Sequence, residues 1–171
     1  TGHNNKGFFK RALMNLFIIA FMFGFVELYT FCLGSGNGLI GLTISLAIIS
    51  FWRTDIGIKP LQGAFVIWGA FLLTGGATFL ASFHPAIGVF VNFASIYTIL
   101  TLTSHQPMAK AYYPILSCYL FAQSSPVYGI DYGLRMIGIA GGGLIVAIIY
   151  YIRHRKVKRR RNITDIFRET H

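Results

Sequence analysis

Long apolar runs, broken at short intervals by clusters of Gly, Pro, Ser and Asn, dominate this chain. Six runs are separable, at residues 12–33, 36–52, 61–82, 85–103, 111–127 and 132–152. Each is near the length of roughly 20 residues that a helix needs to cross about 30 Å of hydrocarbon. The breaks are Gly34-Ser35-Gly36-Asn37-Gly38, Arg53-Thr54-Asp55, His84-Pro85, Ser104-His105-Gln106-Pro107 and Ser124-Ser125-Pro126. Such clusters are what turns between antiparallel helices require. Apolar and polar residues do not alternate within the runs, which disfavours a strand barrel. The fifth run is the least apolar, interrupted by Tyr112, Tyr113, Gln123 and three serines. The pattern predicts an all-α fold: a polytopic membrane bundle of six transmembrane helices over 1–152, then a tail over 153–171.

Composition agrees with lipid as the solvent. The 171 residues are 54% hydrophobic and only 12% charged, and the mean hydropathy is +0.60. Soluble domains carry about a quarter charged residues. The formal net charge of +10 would suggest nucleic acid if it were evenly spread. Instead nine Lys and Arg residues fall between 135 and the end, and long stretches have none. With the N-terminus inside, Lys6, Lys10, Arg11, Arg53, Lys59, Lys110 and the tail all face the cytoplasm, and the three outer loops hold no Lys or Arg. That asymmetry predicts an even number of spans in the cell membrane with both ends cytoplasmic. The basic stretch 153–161 is expected to lie against anionic lipid headgroups rather than nucleic acid. Asn162-Ile163-Thr164 fits a glycosylation pattern, but on a side where modification is not expected. Tyr29, Trp52, Tyr112, Tyr113, Tyr150 and Tyr151 fall near the expected interfaces, as an aromatic belt would. Cys32 and Cys118 are read as apolar packing residues.

Few residues could carry chemistry. A guanidinium inside a span costs about 2.5–3.5 kcal/mol at mid-helix on insertion scales, so Arg135, about one turn inside the sixth run, calls for an explanation. Two readings stand at this point: a bidentate contact to an organic anion, or an ion pair with Asp131 one turn earlier. Glu27, the only acid of the first run, is a candidate proton carrier or a partner for Arg135 across the bundle. His84, at the third-to-fourth turn, is either a pH-sensitive group near the same vestibule or an exposed turn residue. Asn92 is either a contact for a substrate carboxylate or an interhelical hydrogen bond. Gly138, Gly141, Gly142 and Gly143 are expected to let another helix approach the sixth closely. Asp55-x-x-x-Lys59 and Asp131-x-x-x-Arg135, three spans apart, sketch an inverted repeat. No catalytic constellation, metal-ligand spacing or cofactor motif is present in the sequence, and neither an enzyme nor a cofactor is expected.

Residues 55–156 resemble the fusaric-acid-resistance-like family (FUSC, aromatic acid exporter), especially its Gram-positive members. The matching residues are Asp55, Lys59-Pro60-Leu61, Leu80-Ala81-Ser82-Phe83-His84-Pro85, Gly88, Asn92-Phe93 and Tyr97. Lys110-Ala111-Tyr112-Tyr113-Pro114, Tyr119-Leu120-Phe121, Pro126-Val127, Leu134-Arg135 and Gly138 continue the match. These are loose patterns. The resemblance implies a six-helix membrane unit that precedes a further portion of the protein, and a role in exporting aromatic or other organic acids. It also matches Arg135 to the family's arginine at the head of its sixth span. The function expected is therefore an organic-acid exporter, proton-coupled if Glu27 titrates, working as a homo-oligomer. A passive anion channel and a non-transporting scaffold are the alternatives.

Overall fold

In the computed structural model the described residues are 3–54, 56–103, 112–125, 127 and 129–169, and side chains are described for 9–54, 56–84, 86–101, 113–125, 127 and 129–155. Within them every regular element is helical: α1 (His3–Leu33), a single 3₁₀ turn (Ser35–Asn37), α2 (Gly38–Arg53), α3 (Pro60–Phe83), α4 (Pro85–Thr103), α5 (Tyr112–Ser124) and α6 (Ile130–Glu169). Phe9–Leu33, Ser35–Arg53, Pro60–Phe83 and Ile130–Arg155 are long and apolar enough to cross a membrane, and Ala86–Thr101 is a shorter apolar helix. These segments mark a membrane protein with transmembrane helices.

The element ends depart from the apolar runs where charge is no obstacle to helix. α1 begins at His3, ahead of its run, and α6 continues through the basic stretch to Glu169. Lys and Arg are good helix formers, so the backbone has no reason to stop where the apolar side chains do. The expected tail at 153–171 is thus mostly a continuation of α6. In the opposite sense α5 has only 13 residues, about 20 Å of helix. The Ser124-Ser125-Pro126 sequence ends it early, since proline disfavours helical backbone in the residue before it.

The helices alternate in direction. α6 runs antiparallel to α3: Tyr150 packs on Gly63, Gly143 on Phe71 and Met136 on Gly75. Two polar contacts reinforce that pair, the Trp68 indole N–H donating to the Ala140 carbonyl at 3.1 Å and the Tyr132 hydroxyl to the Gly75 carbonyl at 3.1 Å. α6 runs parallel to α2, with Arg135 beside Asn37, Gly142 beside Ile44 and Tyr150 beside Phe51. α1 folds back on α2 through the 3₁₀ turn, where Gly34 takes the positive φ of 87° that reverses the chain. One end of the bundle therefore holds the α1–α2 and α5–α6 turns. The opposite end holds Arg53, Lys59 and the Arg153–Arg155 stretch, and Arg153 lies 5.1 Å from the Trp52 ring. Asp55 and Lys110, which enter the charge and repeat patterns, lie outside the described residues.

The core gathers around α2 and α6: Ile40, Ile44, Ala47 and Phe51 meet Ile139, Val146 and Tyr150, with Ile67 and Phe71 of α3 and Cys118 of α5 completing it. Tyr29 and Tyr150 are buried in this core, against the expectation of an interfacial belt; glycines at 41 and 63 make room for their rings. Of the sixth-run glycines, Gly138 lies under the Tyr29 hydroxyl and Leu33, Gly142 under Ile44 and Gly143 under Phe71. Gly141 differs from the expectation: it is exposed and a Cβ there would meet nothing within 4 Å. The reason is angular, because a residue one before Gly142 points 100° away around the helix.

Replacing Gly142 with leucine is expected to destabilise the bundle by about 1–3 kcal/mol, the usual cost of overpacking. Gly141→Ala should leave stability unchanged or slightly raised. Unfolding midpoints of the two variants in detergent check the contrast.

Candidate functional site

The turn end of the bundle is organised by Arg135, 2% exposed. Its Nε donates to Asn37 Oδ1 at 2.9 Å. One terminal nitrogen donates to the carbonyls of Ala122, at 3.0 Å, and Ser125. The other donates to the Gly36 carbonyl at 2.8 Å and to Ser125 Oγ at 3.2 Å. A guanidinium has five N–H donors, and all five are taken by neutral acceptors.

The acceptors explain why a cation belongs here. The last carbonyls of a helix have no partner within it and carry the negative end of its dipole. Ala122 lies in the last turn of α5 and Ser125 just beyond it. Asn37, whose oxygen accepts from Arg135, donates through Nδ2 to the Leu33 carbonyl at the end of α1, at 2.7 Å. Two helix C-termini therefore converge on one positive charge. In a low-dielectric interior such an interaction is stronger than at a surface.

This geometry departs from both sequence readings of Arg135. No ion pair with Asp131 forms: Asp131 is exposed in the first turn of α6, where an acid suits the positive end of that helix. Glu27 is exposed on α1 and is not among the partners of Arg135. No donor is left over for a substrate carboxylate. The buried carbonyls of α5 and the 3₁₀ turn have the prior claim, since leaving them unpaired would cost more than an exposed acid gains. His84 is exposed, and its Nδ1 accepts the Ala86 N–H at 3.2 Å, closing the α3–α4 turn. Among the described residues no group of His, Cys, Asp and Glu is placed to hold a metal ion.

A second feature lies on the far side of α5. A groove of about 530 Å³ opens between α3, α4 and α5, lined by residues that include Gly69, Leu73 and Ala77 of α3, Ala94 and Thr98 of α4, and Tyr119 of α5. Small side chains on α3 and α4 leave the space, and its wall is almost wholly apolar. Because the helices alternate, Ala77, Ala94 and Tyr119 mark the end nearer the Arg135 cluster. At that end the Tyr119 hydroxyl donates to Asn92 Oδ1, and Gln123 Nε2 donates to the same oxygen at 3.0 Å. Asn92 thus makes an interhelical tie between α4 and α5. Its Nδ2 donors have no partner among the described residues.

Sequence reasoning missed Asn37, Tyr119, Gln123 and Ser125. Tyr119 and Gln123 are four apart on one helical face of the fifth run, a spacing that could have paired them with Asn92. Asn37 sat unnoticed inside a glycine-rich turn. Comparison with known proteins adds no constraint: no family profile matches the chain, and no curated protein or solved structure is significantly similar to it.

Arg135→Gln is expected to leave buried carbonyls unpaired and to lower stability by at least about 2 kcal/mol. The loss should appear as a fall in the detergent unfolding midpoint with no substrate added.

Proposed function

We propose that this chain is the membrane-embedded unit of a transporter for organic acids with an apolar, aromatic body. The groove between α3, α4 and α5 carries this reading. Its volume falls in the ordinary range of small-molecule sites, which are mostly apolar with a few placed polar groups. Val66 to Ala77 spans about 16 Å of α3, long enough for a ring and a short chain. The apolar body lies along Leu73, Ala77 and Ala94, and the acid head lies toward Tyr119, whose hydroxyl is tied to Asn92. Neutral donors suit a protonated carboxylic acid better than its anion, because no cation is among the described residues that line the groove. Binding the uncharged form would couple transport to protons without a dedicated carboxylate.

In this reading six helices pass alternately through the cell membrane, and the basic ends of α1, α2 and α6 lie in the cytoplasm beside anionic headgroups. Arg135 holds the outer turns together instead of binding substrate. The resemblance to aromatic acid exporters supplies the direction, outward.

Flux of aromatic and aliphatic acids into proteoliposomes, with and without a pH gradient, tests the proposal. Aromatic acids should move faster, and an inward proton gradient should change the rate. Ala94→Trp, which fills the groove from α4, should reduce flux to the leak of empty liposomes while the protein stays folded. Undiminished flux in that variant would overturn the assignment of the groove.

A further inference from the structure

α1 is the least enclosed of the candidate spans. Only 6% of its Phe9–Leu33 segment is buried, against 50% for Ser35–Arg53. Phe25, Tyr29 and Leu33 face the core. Phe17, Ala20, Gly24, Glu27, Leu28 and Phe31 are all exposed, spaced three and four apart along the opposite side. A wholly apolar side would need no cover but lipid. Glu27 changes that, since a carboxyl group among acyl chains has no hydrogen-bonding partner in the solvent.

Among the described residues nothing pairs with Glu27. All five donors of Arg135 are engaged elsewhere. Lys10 and Arg11 lie about 24 Å down the helix. The chemistry of a partner from another molecule is set by depth. Copies of one protein insert with one orientation, so a two-fold axis between them runs along the membrane normal and brings equal depths together. Two facing carboxyl groups are self-complementary, each able to donate its O–H to the other's carbonyl. A Cβ on Gly24, one turn away on the same side, would meet nothing within 4 Å. The backbones can approach there, as small residues allow between helices in lipid.

We infer that α1 forms the contact between two copies of this chain, with the Glu27 side chains paired across a two-fold axis and the backbones crossing near Gly24. The inference depends on lipid around α1 and not on the transport reading, so either can fail alone.

Cross-linking and dimer affinity in bilayers test it. Phe31→Cys in a Cys32→Ser background should oxidise to a covalent dimer, while Phe90→Cys on the exposed side of α4, in the same background, should not. Glu27→Gln, which keeps the paired hydrogen bonds, should dimerise like the parent. Glu27→Leu and Gly24→Ile should weaken dimerisation by roughly tenfold, the scale of one interhelical polar contact in lipid. The inference is overturned if Glu27→Leu dimerises as well as the parent, if Phe90→Cys cross-links as readily as Phe31→Cys, or if the Phe31→Cys product contains a different protein.

Discussion

In hydrocarbon, an unpaired carbonyl has no water to turn to, and this constraint shapes one whole end of the bundle. α5 stops short, α1 stops at Gly34, and both leave acceptors that the surrounding lipid cannot satisfy. One guanidinium meets them. Its planar fork reaches both chain turns at once, and the converging helix dipoles supply the negative potential that a carboxylate would otherwise provide. The arginine that is costly as an isolated charge in a span is stabilised here by the helix ends it completes. The short α5 and the buried Arg135 are two halves of one solution.

That solution separates the two polar regions of the molecule. Arg135 lies on the α2–α6 side of α5, and Asn92, Tyr119 and Gln123 lie on the α4 side. The first is saturated, with every guanidinium donor engaged, while the second ties α4 to α5 beside an open groove.

Much of the fold was legible in the sequence because the apolar runs and their Gly, Pro and Ser breaks report directly on helix length and reversal. The all-helical fold, and four segments fit to span, follow from that pattern. What the runs could not report is where a helix continues after its apolar side chains end, as α6 does, or stops before they do, as α5 does. The candidate site was less legible. Arg135 drew attention as a charge in an apolar run, but its partners are backbone carbonyls, and carbonyls leave no mark in a residue pattern. The same blindness hid Asn37, whose importance comes from the helix ends it bridges. Gly138 lies under Tyr29 and Leu33 and Gly142 under Ile44, while Gly141 points elsewhere by simple rotation.

The unbroken course of α6 has a mechanical consequence. Forty residues without a proline make a rod of about 60 Å, roughly twice the hydrocarbon thickness. Its first half is clamped by Arg135 and by glycines seated under Tyr29, Ile44 and Phe71. A tilt of about ten degrees in that clamped half would swing the basic far end by roughly 5 Å over its 30 Å overhang. The helix can therefore work as a lever arm, turning small shifts among tightly seated side chains into a displacement readable at the membrane surface.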